Sequence, residues 1–274
     1  MICWRSRGHF CLVRRSGRFC GSPRNRVTCP ISASGPRIVP LRRRAIQSGV
    51  AQPQQVDEKG SLTARAGPPV HGGPIRLCGT TLGRHRHICA FFHSADDQYR
   101  ILLPFIKDGV ESGEKAVHIV DPRRRADHIR RLTGVGIDVG AVQEDGQLEV
   151  HEWADAHLRD GSFDQHRTLR FIDVIRGRSA RDGFPRTRFV THMEWALEDR
   201  PGVEGLLEYE ASANLVPSDD PVVCAYDLAR FGADVIVDVM RTHPLIIIGG
   251  ILQDNPFFVP PDEFLSQLRA RRSR

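Results

Sequence analysis

The sequence predicts an α/β fold in three layers, with a mostly parallel sheet of about six strands flanked by helices. Short apolar runs alternate six times with longer segments in which apolar residues recur at helical spacing. The runs are continuously apolar, which is typical of strands that are covered on both faces. The segment that holds this pattern, residues 85–274, has a length that fits one domain.

The predicted strands consist mainly of apolar, aromatic and β-branched residues, the types that favour strands. The first run, residues 87–92, reads His-Ile-Cys-Ala-Phe-Phe, and the last is an isoleucine-rich run that stops at Gly249 and Gly250. In chain order the strands are expected at residues 87–92, 116–120, 147–151, 187–192, 221–226 and 245–248.

The predicted helices begin at residues that commonly start helices. Ser94 is expected to cap the first helix, which continues to about residue 112, with Asp97 in the capping-box position. Asp121 followed by Pro122 is expected to start the second helix, because proline fits the first helical position. After a short third helix, the remaining helices are expected at about residues 164–181, 201–214, 233–241 and 261–272.

The first 84 residues differ from the rest in charge and composition. They hold 15 Lys and Arg and two acids, whereas the remainder holds 24 Lys and Arg and 31 acids. They are also rich in Pro, Gly, Ser and Arg, so we expect either a disordered tail or an over-extended start of the reading frame. The acidic remainder is expected not to bind nucleic acid directly, because phosphates would be repelled.

The cysteines and the apolar runs favour a cytoplasmic protein. Cys89 and Cys224 each lie inside an apolar run, where buried and reduced thiols are expected. The first residues lack the long apolar stretch of a secretory signal. No run approaches the roughly 20 apolar residues of a membrane helix, so no membrane contact is expected.

The side chains around the predicted strands favour a site for a small organic molecule. In an open parallel sheet, ligands bind in the crevice beyond the carboxyl ends of the strands. Aromatic groups there supply apolar contact, and a few acids and imidazoles fix the orientation of a ligand. The expected ligand-binding residues are His87, Phe92, Glu194, Trp195, Tyr209, Tyr226 and His243.

Nucleotide and covalent chemistry are not indicated. The phosphate-binding pattern G-x-x-x-x-G-K-S/T does not occur, and the turn at residues 93–96 after the first strand holds neither glycine nor lysine. The nucleophile pattern G-x-S-x-G is also absent from the sequence. We therefore expect no catalytic residues and no cofactor.

A metal-dependent enzyme is the sharper alternative. Two residues apart on one strand, His87 and Cys89 would share a face. However, parallel strands would place His87 and His192 at opposite edges of the sheet, and cysteines in the middle of a strand are commonly core residues. We therefore expect no metal site. The donors considered are His87, Cys89, His192, Glu194, Cys224 and His243.

One predicted helix carries a pair of polar residues that sequence alone leaves open. Glu210 and Asn214 are four residues apart, so they share one face of the helix. A solvated helix face and a functional role both fit this pair.

Six short blocks of sequence carry a family resemblance. They read HICAFF at 87–92, EWAL at 194–197, LEYE at 207–210, CAYD at 224–227, RTHP at 241–244 and NPFFVP at 255–260. In this order and spacing they resemble the MEDS family, the methanogen/methylotroph, DcmR sensory domain. The resemblance covers about residues 84–262 and excludes the basic tail.

The resemblance implies a KaiC/RecA-like α/β fold without a working P-loop. It also implies a non-catalytic sensory domain that binds a small organic ligand such as a hydrocarbon derivative. The output would pass to a partner such as a histidine kinase or a transcription regulator. Besides the metal-dependent enzyme, a ligand-free protein-interaction module of degenerate ATPase fold stays open.

Overall fold

The computed structural model describes residues 73–216 and 218–273. Residues 1–72 of the tail expected at residues 1–84 lie outside them. The strands are β1 Arg76–Leu77, β2 Thr80–Thr81, β3 His87–Phe92, β4 Lys115–Val120, β5 Leu148–Glu152, β6 Thr187–His192, β7 Val222–Asp227, β8 Leu245–Ile248 and β9 Ile251–Asp254. The helices are α1 Ala95–Glu111, α2 Arg125–Gly134, α3 Val139–Glu144, α4 Gln165–Arg181, α5 Leu206–Ala213, α6 Ala233–Met240 and α7 Pro261–Arg272.

A seven-stranded sheet has the order β5-β4-β6-β7-β3-β8-β9. Every neighbouring pair is parallel except β8 and β9, which are antiparallel. The predicted mostly parallel sheet is therefore confirmed, with all six expected strands. The additional strand, β9, follows a tight turn at Gly249 and Gly250, where φ is 59° and 79°. Such positive values suit two-residue hairpin turns.

Helices cover both faces of the sheet, as expected for three layers. In β3, Ile88, Ala90 and Phe92 pack in one apolar cluster with residues of α1, α2 and α3. Cys89 and Phe91 point to the opposite face, where they pack with residues of α5 and α6. Helix α4 packs on that second face against β4 and β6, and α7 packs on α5.

An ordered hairpin precedes the domain boundary expected at residue 84. Strands β1 and β2 pair in antiparallel fashion. Ile75, Leu77 and Leu82 are buried in the same apolar cluster as α1. These side chains cover core surface that α1 would otherwise expose to water. The folded domain therefore includes residues from 73 onward.

The helix expected at residues 201–214 begins later than predicted. Gly202 has a left-handed φ of 90° and precedes a short 3₁₀ turn at Val203–Gly205. The regular helix α5 starts only at Leu206. The chain is held at this point by the Phe163 N–H, which donates to the Pro201 carbonyl at 2.8 Å. A long-range contact thus sets the start of the helix.

The first helix begins as expected, with one difference. Ser94 caps α1, since its hydroxyl accepts from the Asp97 N–H at 3.2 Å. The Asp97 carboxylate accepts from the His93 N–H at 3.4 Å, so it does not bond the Ser94 N–H as a full capping box would. Among residues 73–216 and 218–273, no helix is both long and apolar enough to cross a bilayer.

Candidate functional site

Four potential donor side chains converge between the sheet and α5. His87 is the first residue of β3, Cys224 lies in β7, Glu210 lies on α5, and His243 precedes β8. One donor atom from each side chain lies within 4.8 Å of the others, and all four residues are buried. The cluster forms because β3 lies between β7 and β8 in the sheet while α5 covers that face.

Glu210 is the centre of this cluster. Its Oε2 lies 3.2 Å from His87 Nε2 and 3.4 Å from His243 Nε2. Cys224 Sγ lies 3.4 Å from His87 Nε2 and 3.8 Å from Glu210 Oε2. The other carboxylate oxygen, Oε1, accepts a hydrogen bond from the Tyr226 hydroxyl at 2.5 Å. Both oxygens of one buried carboxylate are thus engaged.

A second layer of contacts orients the two imidazoles. His87 Nδ1 lies 3.2 Å from Asn214 Oδ1, and the Asn214 amide donates to the carbonyls of Glu210 at 3.0 Å and Thr242 at 2.7 Å. His243 Nδ1 lies 2.9 Å from the Val239 carbonyl. Each ring therefore turns its Nε2 toward Glu210. The Glu210–Asn214 pair does not form a solvated helix face, because Glu210 is fully buried.

The local electrostatics favour a charged Glu210. Burial acts to raise the pKa of Glu210, but the facing His243 and His87 outweigh it and hold that pKa well below its usual range. Burial and then the nearby His243 lower the pKa of His87. Burial and the Glu210 charge raise the pKa values of Cys224 and Tyr226. A buried carboxylate here is held by donors rather than by water.

A pocket of about 200 Å³ opens beside this cluster. It lies at the amino ends of the strands, since His87 and Val222 begin β3 and β7 and Pro244 precedes β8. Tyr209 and Asn214 form part of its wall. The crevice predicted from the sequence lies at the carboxyl ends instead.

The expected ligand residues separate into two groups. His87, Tyr209, Tyr226 and His243 lie in or next to the cluster, and His87 and Tyr209 line the pocket. The other three lie elsewhere. Phe92 is buried in the apolar core on the α1 side. Glu194 and Trp195 lie in the short 3₁₀ turn that follows β6.

Trp195 and Glu194 are buried in different surroundings from the pocket. Trp195 stacks on His157 at 4.6 Å between ring centroids and contacts Phe163 and Tyr209. Burial raises the pKa of Glu194. Trp195 therefore packs behind Tyr209 rather than lining the pocket.

Sequence reasoning missed the central residue, Glu210. The sequence pattern relates Glu210 only to Asn214 on one helix face and predicts that Cys224 is a core residue. The sequence does contain a signal for a buried Glu210. An acid inside the apolar helix segment around Leu206 and Tyr209 needs buried hydrogen-bond partners. The pocket residues on α4 carried no comparable signal, since they fit ordinary helix packing.

Comparison with known proteins identifies the family of the chain. The profile of the methanogen/methylotroph, DcmR sensory domain matches residues 86–244. The chain belongs to the MEDS family. The match spans five of the six parallel strands, from β3 to β7. It also includes His87, Glu210, Cys224 and His243. The family description and the relative below support a sensory or regulatory role.

One relative and one solved structure complete the comparison. The transcriptional repressor DcmR of Methylorubrum extorquens is 22% identical over 206 residues, which cover 74% of this chain and 75% of the repressor. The KaiC-like protein PH0186 from Pyrococcus horikoshii OT3 has a TM-score of 0.41 and 16% identity. The matched region covers 59% of this chain and 69% of the KaiC-like protein.

Proposed function

We propose that this MEDS domain is a non-catalytic sensor that binds a small organic molecule and passes the signal to a regulatory partner. The observation that carries the proposal is the pocket at the amino ends of β3 and β7. Its volume of about 200 Å³ is below the roughly 300–1,000 Å³ of drug-sized sites. The pocket therefore favours a short-chain compound.

The walls of the pocket favour a hydrocarbon derivative with one polar group. Leu169, Ile172, Ala213 and Val222 supply apolar surface from α4, α5 and β7. Tyr209 supplies an aromatic ring. Apolar walls bind alkyl groups, and a few polar atoms then orient the molecule.

Of the three arginines that line the pocket, Arg86 and Arg176 have close oxygen partners, whereas Arg84 Nε donates to His85 Nε2 at 3.4 Å. Arg176 Nε lies 3.2 Å from Asp220 Oδ2, and its Nη1 lies 3.7 Å from Asp173 Oδ1. Arg86 Nε donates to the Asp219 carbonyl at 2.9 Å. Because the guanidinium groups of Arg86 and Arg176 are engaged, these two residues favour a neutral ligand over an anion.

A serine in the pocket wall has a structural contact that fits a binding role. Ser218 Oγ accepts from the Asp220 N–H at 3.0 Å. This is the local turn contact that serine commonly makes, rather than the pairing of a nucleophile with a base. Ser218 is thus a turn residue in the wall of the pocket.

The signal would reach a partner such as a transcription regulator or a histidine kinase, which the name of the related repressor supports. The pocket lies between α4, α5 and the turns before β3 and β8, so a ligand would bias the relative positions of these elements. The free thiols of Cys89 and Cys224 fit the proposed cytoplasmic location.

Filling the pocket tests the proposal. Ala213→Leu would place a larger side chain in the wall of the pocket, and Ser212→Leu on the same helix lies outside that wall. We expect a neutral compound, either a short-chain alcohol or a halogenated alkane, to raise the melting temperature of the wild-type protein. At 100 times the Kd, the stabilisation is about 2.7 kcal/mol, or roughly 5–10 °C.

The two variants separate the outcomes. Ala213→Leu should lose most of the ligand-induced shift, whereas Ser212→Leu should keep it. Equal shifts in both variants would place the ligand elsewhere, and no shift with any class would contradict a small organic ligand. The bound compound should be recovered unchanged after prolonged incubation, since conversion to a product would favour the enzyme alternative.

A further inference from the structure

We propose that His87, Glu210, Cys224 and His243 form a closed binding site for a divalent transition metal of the zinc class. Imidazole nitrogen, thiolate sulfur and carboxylate oxygen are the three ligand types that zinc takes in proteins. Their donor atoms lie within 4.8 Å of one another and away from solvent. The inference goes beyond the ligand pocket and does not depend on it.

The hydrogen-bond partners of His87 determine which of its nitrogens faces the cluster with a lone pair. The Asn214 amide nitrogen already donates to three backbone carbonyls, so its Oδ1 is the atom that faces His87 Nδ1. That oxygen only accepts, hence Nδ1 carries the proton. In neutral His87, Nε2 therefore presents a lone pair toward Glu210 and Cys224.

His243 is oriented in the same way. Its Nδ1 lies 2.9 Å from the Val239 carbonyl, which only accepts, so Nδ1 again carries the proton. Nε2 lies 3.4 Å from Glu210 Oε2 and has no hydrogen-bond partner among the described residues. Metal-binding histidines commonly donate their other nitrogen to a carbonyl in this manner.

Two imidazole lone pairs and a carboxylate oxygen thus face one another in a buried space. A divalent cation satisfies all three donors at once. Tyr226, whose hydroxyl donates to Glu210 Oε1, leaves Oε2 as the ligand atom.

The distances between the donors suit tetrahedral coordination. Zinc bonds of about 2.0–2.3 Å at tetrahedral angles place neighbouring ligand atoms roughly 3.3–3.6 Å apart. The measured separations from His87 Nε2 to Glu210 Oε2 and Cys224 Sγ are 3.2 Å and 3.4 Å, and His243 Nε2 lies 3.4 Å from Glu210 Oε2. The contact from Cys224 Sγ to Glu210 Oε2, 3.8 Å, and the widest separation in the cluster, up to 4.8 Å, need to shorten on binding.

Four protein ligands leave no open position, which is typical of a structural rather than a catalytic metal. The metal would join β3, β7, α5 and the turn before β8. Coordination requires Cys224 to release its thiol proton to solvent, and a bound dication favours that loss strongly enough to overcome burial.

Cobalt substitution of the full-length protein tests the site. After removal of metals with a chelator, the protein is titrated with Co²⁺ and then with Zn²⁺. We expect an absorption band from thiolate-to-cobalt charge transfer together with intense tetrahedral d–d bands. One equivalent of Zn²⁺ should abolish both.

The matched pair of cysteines isolates the site from other thiols. Cys224→Ser should lose the thiolate band and one equivalent of bound zinc. Cys89→Ser, at the paired position of the neighbouring strand, should keep both. His243→Gln should weaken zinc binding at least tenfold. If other parts of the chain bound the metal, the amount of bound metal would be equal in the wild type and in all variants.

Folding controls keep the result decisive. Each variant is compared with the metal-free wild type by circular dichroism and thermal unfolding, and only variants with the wild-type fold are scored. A wild-type protein that binds no zinc stoichiometrically would overturn the proposal. A thiolate band that persists in Cys224→Ser would also overturn it. Neither result would affect the ligand-induced melting shift that tests the sensor function.

Discussion

A single buried imidazole, His128, shows how one residue makes stability depend on pH. His128 Nδ1 lies 2.8 Å from the Tyr99 hydroxyl, and Nε2 lies 2.9 Å from His118 Nδ1. Burial, followed by the charge of Arg124, lowers the pKa of His128 from 6.5 to about 4. Burial also lowers the pKa values of His118 and His192, whose rings lie beside that of His128.

Acid should destabilise the domain through His128. Between pH 6.5 and 4, the unfolded chain binds a proton that the folded chain does not, so stability falls as pH falls through this window. Above pH 6.5 the contribution is fully present. At about 1.4 kcal/mol per pKa unit, the loss attributable to His128 is about 3 kcal/mol. Urea unfolding at a series of pH values measures it.

Substitution separates His128 from other titrating groups. His128→Gln should make the decline in the free energy of unfolding between pH 6.5 and 4 shallower than in the wild type. His93→Gln serves as the control, because solvent reaches its ring in the folded chain. An unchanged pH profile in His128→Gln would show that this imidazole is not the group responsible.

At the scale of elements, the start of α5 positions the candidate site. Helix α5 carries Tyr209 and Glu210, and the turn before it contains Gly202 with φ of 90°. A Cβ at Gly202 would lie 2.1 Å from the Phe163 carbonyl oxygen. Both the backbone angle and the close approach therefore require glycine there.

Gly202→Ala should consequently destabilise the protein by at least about 2 kcal/mol, since left-handed backbone alone costs roughly 1–2 kcal/mol and the backbone contact adds to it. Gly205→Ala is the matched control, because its φ is −82° and its Cβ would meet only ordinary contacts with the Phe163 ring. Chemical denaturation compares the two. Similar losses in both variants would mean that the turn tolerates a side chain.

At the scale of the whole molecule, chain segments that are distant in sequence complete both the core and the site. The β1–β2 hairpin buries Ile75 and Leu77 in the cluster beside α1. His87 and Cys224 are separated by 137 positions yet lie within 3.4 Å. The order of the strands in the sheet, rather than proximity in sequence, brings these groups together.

The hairpin should behave as part of the domain. Leu77→Ala is expected to lower the free energy of unfolding by about 2–5 kcal/mol, as for other buried leucines. Arg76→Ala, the exposed neighbour in the same strand, should change it by less than about 0.5 kcal/mol. If neither substitution changed the free energy of unfolding, the hairpin would not be part of the domain and the boundary predicted at residue 84 would hold.

Much of the fold could be read from the sequence. The six parallel strands were predictable because each is a continuous apolar run, and Ser94 was recognisable as a helix cap. Strand β9 was missed because it is a short, largely exposed edge strand, although Gly249 and Gly250 marked its turn. The hairpin before residue 84 was missed because strands of two residues are too short to show a hydrophobic period.

The sequence by itself determined the fold class and the family, since apolar periodicity and short ordered blocks are local properties of the chain. Only the tertiary structure decided that Glu210 joins His87, Cys224 and His243, and that the pocket opens at the amino ends of the strands. Whether an acid on a helix faces water or a buried site depends on which strands become neighbours. That choice is made by long-range packing, which one segment of sequence does not encode.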